Sequence, residues 1–208
     1  MTISRNISVM AQGASSSGIL AGGYGGLGAS VSPTTAGNVL FTADGSVWSS
    51  TAKIVRGTSV ASTSGTSIDF TSIPSWAKRV TVMLNGVSTS GTSIPIIQIG
   101  SGSITATGYL AYAGFAGGTN AAGATSSTIG FPINSGSAAN ILYITYSIFA
   151  YSGNIYFASM SGALAGTTNQ LHAGGGNVTL SGALDRVRVT TTNGTDTFDA
   201  GVINILYE

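Results

Sequence analysis

Short segments typical of β-strands recur through most of the chain and constrain its fold more than any other feature. They are 4–10 residues long, rich in Val, Ile, Thr, Tyr and Phe, and separated by Gly, Ser and Asn turns. Such spacing is typical of antiparallel sheets. Strands are predicted at 67–71, 79–87, 94–99, 104–109, 127–131, 140–151, 154–160, 178–180, 186–192 and 202–207. No run of 12 residues shows a capped helical stripe, so we expect no helix.

Alternation within three segments predicts which side chains are buried. Residues 79–84 (RVTVML) and 186–190 (RVRVT) place valines or leucine on one face and the arginines on the other. Residues 140–151 are apolar at both parities, which favours a central strand covered on both faces. About ten strands in about 150 residues predict an all-β fold, an antiparallel, jelly-roll-like β-sandwich.

The chain is expected to have two parts. Residues 1–55 are Gly-rich and poor in alternating hydrophobics, which indicates an extended N-terminal arm. Residues 56–208 carry the β pattern and form the predicted sandwich domain.

A hairpin is predicted within the arm at residues 37–48. The Asp44-Gly45 pair is a strong signal for a tight turn between two short strands. We expect Trp48 to close this hairpin by packing against Val39 or Phe41.

One heptapeptide, STSGTSI, occurs at 62–68 and again at 88–94. Two copies do not make a solenoid. The repeat predicts two similar turns that enter strands at one end of a sheet.

The low charge of the chain indicates the kind of environment in which the protein works. Only 6% of the 208 residues are charged, with a formal net charge of +1, whereas an ordinary soluble domain has about 25%. Because charge normally keeps free proteins apart, we expect a fixed assembly or a harsh extracellular medium. Hydrophobic residues make up 43%, which argues against a disordered chain.

Composition also weighs against several classes of protein. The chain has no cysteine, so a disulfide scaffold and thiolate metal sites are excluded. Seven dispersed Lys and Arg residues form no basic patch, so we expect no nucleic-acid partner. The first 30 residues lack a secretory pattern, and the most apolar segment, 141–151, is too short to span a membrane.

Motifs that could carry catalysis or bind a cofactor are weak. Residues 23–28 (GYGGLG) fit the dinucleotide fingerprint, but the sequence that follows cannot form the helix this site needs. No nucleophile elbow accompanies the single histidine, His172. We therefore expect no enzyme, no cofactor and no catalytic residue.

An acidic loop at 193–199 (NGTDTFD) contains Asp196 and Asp199. Two carboxylates in one turn do not have the facing arrangement of a glycosidase. An oxygen-rich loop of this kind can bind calcium, but Asx hydrogen bonds within the turn are the more frequent role. We therefore expect no metal site.

Four residues are candidates for receptor contact: Tyr109, Tyr112, Phe115 and His172. Aromatic rings beside small polar residues can stack on sugars, while a loop histidine can contact a receptor or a neighbouring subunit. Packing in the core or between subunits is the more frequent role of such aromatic residues.

Two stretches of the sequence resemble bacteriophage tail-fibre and virion-surface proteins. The first is TTAGNVL (34–40) followed by DGSVW (44–48), and it resembles a module near the N-terminus of phage fibre proteins. The second resembles a domain frequent in tailed-phage structural proteins. It comprises IDFTSIP (68–74), KRVTVM (78–83), QIG (98–100), GY (108–109), LDRVRVT (184–190), TNGTDTFDAG (192–201) and NILYE (204–208).

The resemblance implies a component of the virion surface, on tail or capsid. Its N-terminal arm would bind other virion proteins, and its sandwich would face outward as a homotrimer that attaches to the host, with a cell-surface glycan as a candidate receptor. Weak contacts would then be summed by avidity. Arg186 and Arg188 would be free to pair with Asp69, Asp185 or Asp199 of a neighbour. The alternatives are a capsid decoration, head-fibre or neck protein without a ligand, and a secreted carbohydrate-binding module.

Overall fold

The computed structural model describes residues 38–41, 49–52, 54–117, 122–166 and 169–208. The chain divides into two units, with the boundary between Ile54 and Val55. In the first unit, β1 (Asn38–Phe41) pairs antiparallel with β2 (Ser49–Ala52). These strands flank the Asp44-Gly45 pair, whereas the turn itself, Trp48 and the rest of the predicted arm lie outside the described residues.

Within its described residues, the second unit contains only strands and connecting loops, and no helix. The strands are β3 (Val55–Arg56), β4 (Val60–Ala61), β5 (Ser67–Phe70), β6 (Arg79–Thr89), β7 (Pro95–Ser101), β8 (Ser103–Ile104), β9 (Leu110–Gly117), β10 (Ala122–Ser127), β11 (Phe131–Pro132), β12 (Ile141–Ser152), β13 (Ile155–Ala165), β14 (Gln170–Thr179), β15 (Arg186–Thr191) and β16 (Phe198–Tyr207).

These strands form two antiparallel sheets. The large sheet has nine strands in the order β10-β9-β14-β13-β12-β6-β16, with β3 and β4 both paired to β16 at its edge. The small sheet has five strands in the order β11-β7-β15-β5, with β8 paired to β7. The two sheets pack as a sandwich, so the predicted antiparallel β-sandwich is confirmed.

The core lies between the two sheets and follows strand alternation. Val82 of the large sheet and Val187 and Val189 of the small sheet are fully buried, as the alternating segments predict. At the centre, the Phe131 ring packs edge-on against Tyr109, with ring centroids 4.9 Å apart, and lies 5.8 Å from the Tyr146 ring.

Two predicted strands are wrong because the chain leaves a sheet there. Within 104–109 only Ile104 belongs to a strand, since Gly108 turns the backbone at a φ of +82° and β9 begins at Leu110. Residues 127–131 cross from the large sheet to the small one, so β10 ends at Ser127 and β11 begins at Phe131.

The prediction of a strand at 178–180 was much too short, because β14 starts eight residues earlier. Its run of glycines suggests a turn by sequence but instead forms a central strand. A Cβ atom at Gly176 would lie 2.3 Å from the Leu110 carbonyl oxygen, and one at Gly174 would lie 2.7 Å from that of Tyr112. Glycine therefore permits the close approach of β14 to β9.

The repeated heptapeptide marks two loops that enter β5 and β7, which flank β15 in the small sheet. Because both strands run antiparallel to β15, the loops lie at the same end of the sheet, as predicted. Backbone hydrogen bonds also connect both loops to the beginning of β16. The Phe198 N–H donates to the Gly65 carbonyl in the first copy, and the Ser90 N–H in the second donates to the Thr197 carbonyl.

Truncation of Phe131 tests the packing between the sheets. We expect Phe131→Ala to lower the free energy of unfolding by about 3–5 kcal/mol, because it leaves a cavity next to Tyr109 and Tyr146. Phe131→Leu retains most of the volume and should cost clearly less. Chemical denaturation measures both values, and equal small losses in the two variants would contradict this packing.

Candidate functional site

The strand β12 exposes a row of large apolar side chains. Its even-numbered residues from Leu142 to Ile148 face the core, whereas Ile141, Tyr143, Phe149 and Tyr151 lie on the opposite face. Tyr151 is 73% exposed. The prediction that this strand is covered on both faces is therefore wrong for the described chain: the small sheet covers only one face.

The face of the large sheet that points away from the small sheet is here called the outer face. Strand register assigns the neighbouring side chains to it, because directly paired residues share a face. Tyr143 pairs with Ala163, Ala163 with Leu171, and Leu171 with Ala116. One row of side chains thus crosses four strands.

The outer face collects the exposed apolar groups of the protein. Ten large hydrophobic side chains of the described residues are exposed, and all except Ile54 lie on this face. They are Leu110, Tyr112, Ile141, Tyr143, Phe149, Tyr151, Phe157, Leu171 and Val202. Single exposed hydrophobics are ordinary, but large exposed apolar patches are in general typical of interaction sites.

The outer face is uneven, with protruding large side chains beside a depression lined by small ones. The four large side chains of β12, here called the β12 ridge, stand in two pairs, Ile141 with Tyr143 and Phe149 with Tyr151, separated by Thr145 and Ser147. Beside it, small residues of β13 and β14 form a shallow trough, whose members are Ser159, Ser161, Ala163, Ala173 and Gly175. Leu110 and Tyr112 of β9 border the trough on its far side. A cleft of about 490 Å³ lies at one end of the trough, between Tyr143 and Leu171.

Charged residues are almost absent from the five strands at this side of the large sheet. The strands β10, β9, β14, β13 and β12 contain no Asp, Glu, Lys or Arg. Arg79, at the start of the next strand, forms an ion pair with Glu208 and lies 6.0 Å from the centroid of the Phe149 ring. Apart from His172, whose ring faces the core, polarity in these five strands comes from hydroxyl and amide groups.

The small sheet has the opposite character. The Arg188 guanidinium donates two 2.7 Å hydrogen bonds to the Asp69 carboxylate, and Arg186 pairs with Asp185 at 2.7 Å. Their hydrogen bonds lower the pKa of Asp185 and raise those of both arginines. Within this chain both arginines bind carboxylates of their own chain, and the expected pairing with a neighbouring copy stays a prediction.

Of the predicted contact residues, Tyr109 is buried and Tyr112 is exposed. The Tyr109 hydroxyl accepts a 2.9 Å hydrogen bond from the Ile99 N–H and lies 2.9 Å from the Thr105 carbonyl. Burial raises the pKa of Tyr109 to about 12. This side chain fixes the turn before β9 and cannot reach a receptor, whereas Tyr112 is 64% exposed on the outer face.

His172 is also buried, on the core side of β14. Its Nε2 atom lies 3.2 Å from Gln170 Oε1, its ring lies 5.8 Å from that of half-buried Phe115, and its Nδ1 atom is buried without a hydrogen bond. Burial lowers the pKa of His172. Contact of His172 with a receptor is thus contradicted, and Phe115 packs against it on the same face.

Sequence reasoning missed most of the outer face because it read residues 141–151 as covered. The exposed Leu171, Phe157 and Val202 were not among the candidate residues. Only the register of β14, β13 and β16 brings them onto the same face.

The acidic loop is organised by its own hydrogen bonds. Asp196 Oδ1 accepts from the Asn193 amide at 2.7 Å, and Asp196 Oδ2 accepts from the Ser93 N–H at 2.9 Å. These bonds lower the pKa of Asp196. The Asp199 carboxylate accepts instead from the Ser88 hydroxyl. In the described part of the chain, no three Asp, Glu, His or Cys side chains group as metal ligands.

Comparisons with known proteins show no family for this chain. No protein-family model matches the chain, and curated protein sequences contain no significant relative. A chain in the structure of infectious bursal disease virus Gx strain is similar at 9% identity and a TM-score of 0.16, over 80% of this chain and 42% of the viral one. A chain of the VP2 subviral particle of the same virus aligns at 7% identity and 0.17 over 80% of this chain.

This chain therefore spans less than half of the length of either viral chain. Among the described residues, no helix is long and apolar enough to cross a membrane.

Burial of His172 predicts a pH-dependent stability. Because its folded pKa lies below the ordinary value of 6.5, the unfolded chain binds a proton at higher pH than the folded one. The free energy of unfolding should therefore fall as the pH drops below about 6.5.

His172→Leu removes the only histidine and should flatten this dependence between pH 7.5 and 5. Thermal unfolding at several pH values compares the two proteins. An equally steep decline in both would show that another group titrates.

Proposed function

We propose that this chain is a structural protein of the outer surface of a bacteriophage particle, of the tail-fibre or spike type. Residues 1–55 would bind other virion proteins, and the β-sandwich would be presented outward for attachment to the host cell. The protein would assemble as a homo-oligomer, and the sequence resemblance implies a trimer.

The outer face of the large sheet is the observation that carries this proposal. A free monomer would expose nine large hydrophobic side chains on a surface that has almost no charge to keep molecules apart. In a fixed assembly, the same surface is buried and stabilises the particle. The sequence resemblance to phage fibre modules then supports a virion as the assembly.

A structural role also agrees with the state of the ionisable groups. The five acidic residues of the described chain are all engaged in ion pairs or turn hydrogen bonds: Asp69, Asp185, Asp196, Asp199 and Glu208. The only histidine faces the core. A catalytic site needs an accessible acid, base or nucleophile with a suitable pKa. We therefore propose that the protein is not an enzyme.

A polar groove on the small sheet is the better candidate surface for a host glycan. It has a volume of about 290 Å³ and is lined by Arg188, Gln98, Thr190, Asn193 and neighbouring residues. Hydroxyl, amide and guanidinium groups at one site can hydrogen-bond sugar hydroxyls. Attachment through several such grooves on one oligomer would gain strength by avidity.

Quantitative mass spectrometry of purified phage particles tests the proposed location. We expect this protein in few copies, in multiples of three or six, relative to the major capsid protein. A ratio close to that of the capsid protein would instead favour decoration of the capsid. Absence from the particles would refute the virion role and favour a secreted carbohydrate-binding module.

A further inference from the structure

We infer that another copy of this chain covers the outer face, with the β12 ridge of one copy seated in the β13–β14 trough of the next. The inference rests on the proposed assembly of copies and names the surface through which they meet. Area, relief and charge each support it.

The area of the face is that of a stable protein interface. Its five uncharged strands, β10, β9, β14, β13 and β12, lie about 4.8 Å apart and rise about 3.3 Å per residue, so together they cover about 740 Å². One partner in a standard protein–protein interface contributes about 800 Å². A small ligand in the cleft beside Tyr143 would leave most of the exposed apolar groups in water.

The relief of the face is complementary to itself. The β12 ridge stands directly beside a trough that is two strands, or about 10 Å, wide. Two sheets pack face to face about 10 Å apart, with the side chains of one filling the spaces of the other. One large side chain of the ridge, such as Tyr143 or Phe149, would fill the space over Ser161 and Ala173 of the other copy.

The absence of charge on the outer face favours a second copy of this chain over a charged partner protein. A surface that meets itself brings like charges together, and such contacts are destabilising. The five uncharged strands avoid this problem, and the hydroxyls of Thr145, Ser159 and Ser161 provide both donors and acceptors for a copy of the same surface. The ion pairs of the small sheet, such as Arg188–Asp69, stay in water.

A single arginine in the trough tests this contact on the full-length protein. Ser161 is an exposed strand residue at the centre of the trough, and Ser103 is an exposed strand residue of the small sheet. We expect wild type and Ser103→Arg to sediment as the same oligomer. Ser161→Arg should weaken association by at least about 100-fold, because its guanidinium would be desolvated without a partner.

Sedimentation over a range of concentrations gives the mass, and circular dichroism verifies that each variant is folded. Dimers or trimers that Ser161→Arg dissociates support the contact. A wild-type protein that is monomeric at all concentrations, or a folded Ser161→Arg variant of unchanged mass, would overturn it.

Thiol labelling provides a second measurement that does not disrupt the surface. The natural chain has no cysteine, so Ser161→Cys and Ser103→Cys each carry one reactive thiol. In the oligomer, the thiol at position 161 should react with a maleimide at least about tenfold more slowly than the thiol at position 103. Equal rates, or slow reaction in a chain of monomeric mass, would contradict cover by a second copy.

These outcomes are independent of the location of the protein. Presence in particles together with an accessible outer face would leave the virion proposal standing and refute this interface. A stable oligomer that is absent from particles would refute the virion proposal and leave the proposed interface standing.

Discussion

The central constraint on this protein is the two-sided nature of a β-sheet. Each strand of the large sheet sends alternate side chains to opposite faces, and the small sheet can cover only one of them. In β12 both sets are largely apolar, with Leu142 and Ile144 in the core and Tyr143 and Phe149 outside. The fold of the described chain therefore buries one half of the apolar pattern of β12 and leaves much of the other half exposed.

The exposed faces of the two sheets differ in charge. On the small sheet, Arg188 and Asp69 form a bidentate ion pair at the surface. Such a pair adds little stability but keeps that surface hydrated. The strands β10, β9, β14, β13 and β12 of the large sheet carry hydroxyls and aromatic rings instead of charges. The two sheets of the described chain therefore present one charged, hydrated surface and one apolar, uncharged surface.

The sequence predicted the sandwich, the inward valines and the two loops of the repeated heptapeptide, because these features follow from local alternation and turn chemistry. It did not predict β14, whose glycines resemble a turn, because their role depends on how closely β9 approaches. It also placed Tyr109 and His172 among the contact candidates, although both are buried in the folded chain. Tyr109 is buried by contacts with Ile99, Thr105 and Phe131, and His172 by the core-facing register of β14, which the glycines after it do not reveal.

The apolar residues of 140–151 occupy both faces of this strand, and the small sheet covers only one of them. A strand with two apolar faces is compatible with a three-layer domain or with a two-layer domain that packs against another molecule. The described residues form two layers, and low charge over five adjacent strands is the feature that favours association. Strand alternation and charge distribution together support the proposed contact between copies.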